Sequence, residues 1–244
     1  MGDRWYLNPA YSEVRKLVTD GVEEIFKQYD VDGIHIDDYF YPTTDTAFDS
    51  EAYSEYLAGG GKSDLATWRR GNINALVRAV YSKTKACRAS ALFGISPGGV
   101  VDTDYNELYA DVYTWGSVDG YADYICPQIY FGFEHESCDF TSVAERWSDI
   151  VSNSNVRLII GLSMTKAYSG VDVWAGSGKY EWAQSSDILL RSLSYTLNLG
   201  NCSGAAVFSY GYLYDTVSGS PIEKTGTERE NLLYLLRGIE WKKQ

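Results

Sequence analysis

The sequence predicts an α/β fold of the (β/α)8 TIM-barrel type, and three observations predict it. Amphipathic helical stretches alternate with short, nearly continuous apolar strands, as in a parallel sheet covered on both faces. Polar residues collect at the carboxyl ends of those strands, where a closed parallel barrel carries its chemistry. No glycine-rich phosphate loop follows any strand, which removes the usual reason for an open nucleotide-binding sheet.

Residues 1–12 carry no period and end on Ser12, a residue type that caps helices. Val14, Leu17, Val18, Val22, Ile25, Phe26 and Tyr29 then recur at three- and four-residue steps, one apolar stripe that predicts a helix. The helix delivers the chain to a strand at residues 33–38, in which Ile34 and Ile36 face one way and His35 and Asp37 the other. On the inward side of a barrel strand Asp37 would sit at the carboxyl end, with Asp38 one step beyond. The polar stretch that follows Pro42, roughly 20 residues long and closed by Gly59, Gly60 and Gly61, exceeds the usual strand-to-helix connection. Long loops at that end of a barrel cover sites.

Asp64 opens a second helix carrying Leu65, Trp68, Ile73, Leu76, Val77 and Val80, followed by a strand over residues 91–96 and a turn at Pro97, Gly98 and Gly99. Residues 100–122 form an acidic, tyrosine-rich connection, helical in part, before a strand over residues 123–130. That strand places Cys126, Gln128 and Tyr130 on one face and Ile125 and Ile129 on the other. A helix over residues 140–152, a strand at 157–163, a helix at 187–199 and a strand at 204–210 come next. The final helix carries Leu232, Leu233, Leu235, Leu236 and Ile239. Five strands are visible, with no internal repeat, and residues 1–244 are expected to form a single domain.

An apolar content of 45% over 244 residues supports a sizeable core. The net charge of -12 offers no basic field for phosphates, which argues against nucleic acid or an anionic membrane surface as partner and for a neutral substrate. Aromatics reach 15%, with 21 tyrosines and seven tryptophans, a bias common in proteins that stack sugar faces on rings, although core packing is the commoner role of any single ring. Cys87, Cys126, Cys138 and Cys202 show no C-x-x-C spacing and no paired histidines, so isolated thiols are expected rather than a structural zinc site. In an exported protein Cys138 is a candidate for one disulfide. No apolar run approaches membrane-spanning length and no signal peptide stands at Met1, which leaves a cytoplasmic protein or an export signal upstream.

Six motifs together carry a family resemblance. Tyr6-Leu-Asn-Pro9, Val31-Asp-Gly-Ile-His-Ile-Asp-Asp-Tyr-Phe-Tyr-Pro42, Trp68-Arg-Arg-Gly-Asn-Ile-Asn-Ala-Leu-Val77, Phe93-Gly-Ile-Ser-Pro97, Asp123-Tyr-Ile-Cys-Pro-Gln-Ile-Tyr130 and Ile160-Gly-Leu162 resemble, in order, the motifs of the glycosyl-hydrolase-like ten family. The resemblance runs from residue 5 to about residue 210. It implies a bacterial, generally exported (β/α)8 barrel that cleaves glycans, bacterial cell-wall glycan above all, located outside the cell or in the periplasm. No cofactor is expected, and the sequence leaves the oligomeric state open. Family members carry three strands before the Asn-Pro loop, so the resemblance also implies a barrel incomplete at its N-terminus, whose two sheet edges would be a pairing liability.

Glycoside hydrolysis needs two carboxyl groups. Asp37 is the leading candidate, its place two residues after His35 resembling the strand-four nucleophile of amylase-like barrels, where a basic residue precedes the aspartate by two. The alternative is a structural acid paired with Arg69 or Arg70. Asp38 is a second candidate, and Glu134 or Glu136, in an aromatic loop beyond the 123–130 strand, could supply the acid. The strand ending at Ser96 offers a serine where an amylase-like acid would need glutamate. His35, Tyr39, Ser96, Gln128 and Tyr130 are candidate substrate contacts, an amide being able to donate and accept towards sugar hydroxyls. Arg69, Asn72 and Asn74 would line or brace the pocket. Trp174, Trp182, Tyr39, Tyr41 and Tyr210 are candidate stacking platforms, with packing the alternative for each. A noncatalytic carbohydrate-binding fragment is the competing reading. A metal-dependent hydrolase would use His35, Asp37 and Asp38, but only His35 and His135 exist and no strand-borne His-x-His occurs.

Overall fold

The computed structural model describes residues 4–37 and 40–238, so Asp38, Tyr39 and Ile239 lie outside the described residues. The chain divides into two compact units, residues 1–125 with 153–156 and residues 126–152 with 157–244.

In the first unit, α1 (Ser12–Gln28) buries Thr19 and Val22 and packs on α3 (Leu65–Cys87). Ser12 is the first helical residue rather than its cap: Tyr11 holds the N-cap position with no side-chain hydrogen bond, and the Ser12 hydroxyl turns to Glu13 at 3.0 Å. Arg15 instead fastens the lead-in, its Nη1 donating to the carbonyls of Pro9 and Ala10 at 2.6 and 2.9 Å. The chain then enters β1 (Gly33–Asp37). What reads as a long polar loop after Pro42 contains α2 (Ser50–Ala58), whose one buried residue, Ala52, leaves no apolar stripe to announce it. Asp64 caps α3 as its position predicts, accepting from the Thr67 amide at 2.8 Å.

Strand β2 (Leu92–Ser96) lies parallel to β1, with Gly33 opposite Leu92 and Asp37 opposite Ser96. Two short helices, α4 (Val101–Asn106) and α5 (Val112–Ser117), occupy the tyrosine-rich connection. Strand β3 (Tyr124–Ile125) is parallel to β2 but only two residues long, against the expected eight from 123 to 130. Proline explains the difference: Pro127 has no amide hydrogen to offer a ladder. Beyond it the chain folds back locally, Ile129 and Tyr130 donating to the carbonyls of Pro127 and Gln128.

The second unit holds α6 (Phe140–Ile150), capped by Asp139 on the Ser142 amide at 3.0 Å, then β4 (Arg157–Ser163) and α7 (Thr165–Ser169). Next come α8 (Glu181–Gln184), α9 (Ile188–Thr196), β5 (Cys202–Phe208) and α10 (Gly226–Gly238). Strand β5 begins and ends two residues earlier than the expected 204–210, and it runs parallel to β4 with a register shift between Leu158 and Ile159. Phe140, Trp147, Leu158, Ile160, Leu162, Ile188 and Leu189 are buried in this unit. Gln128 forms an isolated parallel bridge with Gly161, and a Cβ on Gly161 would stand 2.7 Å from the Pro127 carbonyl oxygen. Only glycine permits that approach. The four cysteines are free thiols.

Candidate active site

Asp37 is exposed at the last residue of β1, in register with Ser96, which is buried at the last residue of β2. His35 lies two residues earlier on the same face of the strand. Its Nδ1 is 2.9 Å from the Tyr124 hydroxyl, and the two rings stack with centroids 5.8 Å apart and planes 19° from parallel. The contact spans three strands, because His35 is opposite Gly94 and Gly94 is opposite Tyr124. A Cβ at Gly94 would stand 1.8 Å from the tyrosine ring, so the glycine in β2 is what lets the ring cross. Although part of the His35 ring reaches solvent, the protein packed round it holds its pKa below the usual histidine value, and the Asp37 carboxylate pulls the other way.

The sequence marks the strand face by Cys126, Gln128 and Tyr130 and does not single out Tyr124. An isolated glycine inside the Phe93–Ser96 stretch was the available signal, since such a residue marks a close approach.

Arg69 is a brace, not a substrate contact. It is 0% exposed, and its Nε donates to both Asp49 oxygens at 3.2 and 3.0 Å. Its Nη1 donates to the Tyr109 hydroxyl and the Thr44 carbonyl, and its Nη2 to the Asp45 carbonyl and Asp49. Every arm of the guanidinium is therefore engaged, by the segment that follows β1 and by Tyr109. The rings of Tyr41 and Tyr109 flank it at 5.1 and 4.9 Å, so Tyr41, 3% exposed, is packing rather than a platform. Arg69 pairs with Asp49, and Arg70 reaches the Tyr105 carbonyl at 3.3 Å. Asn74 ties α3 to α5, donating to Asp111 at 2.9 Å and accepting from the Trp115 indole at 2.6 Å. Asn72 is half-buried, and its Nδ2 is buried without a hydrogen-bond partner.

In the second unit, Gln128 and Tyr130 are half-buried and Tyr130 stacks on Phe208, with centroids 6.2 Å apart and planes 21° from parallel. Phe208 ends β5, so Tyr130 does reach the carboxyl end of a strand. Tyr210, two residues on, is exposed and packs one side against Tyr214. Trp174 is 80% exposed on a loop held from below: Asp172 accepts from the Trp174 amide at 3.2 Å, and Glu136 from the Ser177 amide at 3.1 Å. Glu136 is thus engaged in loop structure. Trp182 is buried and serves no exposed platform.

Glu134 is exposed and borders a cleft of about 390 Å³ with Glu181, Gln184, Ser185, Asp187 and Arg191. Buried Glu181 organises it, accepting from the amides of Phe133 and Glu134 at 3.0 and 2.9 Å and facing Arg191 at 3.5 Å. Glu181 lay inside a short helix with no pattern to single it out. No group of three or more His, Cys, Asp or Glu side chains placed to hold a metal ion occurs among the described residues, which do not include Asp38.

A family model described as glycosyl hydrolase-like 10 matches residues 1–173. The chain belongs to that family. The glycosyl hydrolase DigH of Escherichia coli O6:H1 (strain CFT073) is 32% identical over 230 residues, covering 87% of this chain and 51% of DigH. The chain spans about half or less of the length of the curated relatives it matches. Among solved structures, the chitinase ChiW of Paenibacillus sp. str. FPU-7 aligns with a TM-score of 0.57 at 15% identity, over 93% of this chain and 31% of ChiW. The spore cortex-lytic enzyme SleL of Bacillus megaterium QM B1551 aligns with a TM-score of 0.55 at 12% identity, over 97% of this chain and 56% of SleL. At those identities the likeness concerns the fold, which is α/β of the TIM-barrel type. In a family of this fold, the strand-end position of Asp37 is where chemistry resides.

Proposed function

We propose that this chain carries the catalytic face of a glycoside hydrolase acting on O-glycosidic bonds of a bacterial cell-wall glycan, outside the cytoplasm, with Asp37 as a catalytic carboxylate. The observation that carries the reading is the setting of Asp37: exposed at the end of β1, beside Ser96, two residues after a histidine whose ring Tyr124 holds.

Two carboxyl groups divide the work. One protonates the leaving oxygen and the other attacks the anomeric carbon or activates water. Asp37 takes the second role. His35, whose pKa its surroundings hold below the usual histidine value, stands two residues from Asp37 on the same strand face. Within the second unit, Trp174, Tyr130 and Tyr210 offer sugar rings apolar faces, and Gln128 offers a hydroxyl both a donor and an acceptor. Support for the substrate class comes from the family, from a net charge of -12 that suits a neutral polymer, and from neighbours described as spore cortex-lytic and as a cell-surface chitinase.

The test is product release, read by mass spectrometry, from purified peptidoglycan glycan strands, chitin and xylan. Cleavage of the peptidoglycan strands in preference to the other two is expected. Saturable binding with no cleavage of any of them would replace the reading with a noncatalytic carbohydrate-binding protein.

A further inference from the structure

In the first unit two segments leave the carboxyl ends of paired strands. Residues 40–49 follow β1, which ends on Asp37, and residues 97–111 follow β2, which ends on Ser96, the register partner of Asp37. The two segments touch directly. The Tyr41 amide donates to the Leu108 carbonyl at 3.2 Å, and the Tyr41 and Tyr109 rings meet edge to face with centroids 5.2 Å apart. Arg69, reaching in from α3, donates to both segments: to the Thr44 and Asp45 carbonyls and the Asp49 carboxylate in the first, and to the Tyr109 hydroxyl at 3.0 Å in the second.

Tyr109 has a φ of 54°, in the left-handed region that a bulky side chain rarely adopts. Such a conformation persists only where its surroundings hold it, and here the ring is buried with the Arg69 guanidinium 4.9 Å from its centre. Stability alone is a weak reason for a buried arginine at this place. With both side chains of the Arg69–Asp49 pair buried, at 0% and 1% exposure, the cost of desolvation offsets much of their attraction. What a planar guanidinium supplies beyond an apolar side chain of similar size is direction: several N–H groups at fixed angles, which hold the oxygens of two segments at once.

We propose that Arg69 is a positioning residue for the reaction, which locks the segments following β1 and β2 to one another and thereby fixes the strand end that carries Asp37. It touches no substrate and acts through the two segments. The locking stands on the hydrogen bonds alone, whereas its consequence for catalysis rests on the proposed function of Asp37. Misplacing a catalytic group by about 1 Å costs on the order of 10²-fold in rate, so loosening the lock lowers kcat and leaves the remaining binding contacts, and with them KM, nearly as they were.

The test compares three variants by steady-state kinetics on peptidoglycan glycan strands and by hydrogen exchange read by mass spectrometry. Arg69→Lys keeps a cation for Asp49 but loses the fork, and Tyr109→Phe keeps the ring but deletes the hydroxyl that Arg69 uses. Val80→Ala, about three turns further along α3, opens a cavity at a buried position outside the brace and controls for lost stability. In Arg69→Lys kcat is expected to fall about tenfold or more with KM within about threefold of wild type, and in Tyr109→Phe to fall several-fold. Exchange over residues 40–49 and 105–111 is expected to quicken about tenfold in Arg69→Lys and to stay near wild type in Val80→Ala, whose kcat is also kept. If Arg69→Lys does not fold, Tyr109→Phe decides by the same readouts. A kcat within about twofold of wild type in the deciding variant, unchanged exchange in both segments, or an equal fall in kcat in Val80→Ala would overturn the proposal. Wild type that cleaves nothing sinks the proposed activity, and the exchange rates then decide the locking by themselves.

Discussion

Tyr124 meets His35 by laying its ring across Gly94, a three-strand contact that ends 2.9 Å from the imidazole Nδ1. The arrangement stands or falls with the absent Cβ of Gly94. Gly94→Ala forces the ring aside and should cost about 1–3 kcal/mol in urea unfolding, the usual penalty of overpacking. Tyr124→Phe keeps the ring and should cost only about 1 kcal/mol, the worth of one hydrogen bond. Equal losses in the two variants would mean that the ring does not cross the glycine.

His35 reports on Asp37. Burial lowers the histidine pKa and the Asp37 charge raises it, so removing that charge in Asp37→Asn should lower the His35 pKa further, as read by NMR titration. A folded pKa below the unfolded value means that the unfolded chain binds the extra proton in between. The His35 contribution is therefore complete above about pH 6.5 and is lost as pH falls through the window below it. His35→Gln should flatten that part of the stability profile, and an unchanged profile would place His35 in a setting unlike the one described.

The opposite sign applies to Glu228, whose carboxyl is pushed up to about 7 by burial. The folded protein holds this proton more tightly, so the contribution is present below about pH 4.5 and is lost as pH rises through about 7. Glu228→Gln removes the ionisation and should be relatively more stable at pH 8 than at pH 5 when each is compared with wild type. Parallel curves for the two proteins would contradict this.

Arg69→Met leaves Asp49 buried without its partner and should destabilise by about 3–5 kcal/mol, since breaking one half of a buried pair costs more than the pair contributes. The double change Arg69→Met with Asp49→Leu should recover much of that loss. A single variant within about 0.5 kcal/mol of wild type, the range of ordinary surface substitutions, would show that the pair is not buried.

Trp174→Ala removes an exposed ring and should leave thermal stability within about 0.5 kcal/mol of wild type. Its predicted effect is on KM for long glycans, raised several-fold with kcat nearly constant, the signature of lost uniform binding. An unchanged KM would remove Trp174 from the substrate path.

The alternation of helices and apolar strands was plain in the sequence because each period reports burial directly, as with the stripe of α1 and the Arg157–Ser163 run. Helix α2 was hidden because a helix that buries one alanine leaves no stripe. Strand β3 was overread because Tyr124 to Tyr130 alternates properly while Pro127 denies the ladder. The strand-end position of Asp37 is legible from strand parity. Arg69 is expected to line or brace the pocket and does brace, but its partners, a carboxylate twenty residues away and three loop oxygens, leave no local pattern in the sequence. Tyr124 and Glu181 were missed for a related reason: their partners are brought together by register and loop closure, which no local pattern encodes.

The most direct test of Asp37 as a catalytic carboxylate is the rate of reducing-end release from peptidoglycan glycan strands by wild type and Asp37→Asn, at matched folding confirmed by circular dichroism. Measurable turnover by wild type is expected, with a fall in kcat of about 10²–10⁴-fold in the variant, the range over which positioned acid–base groups act. Turnover by Asp37→Asn within twofold of wild type would contradict it.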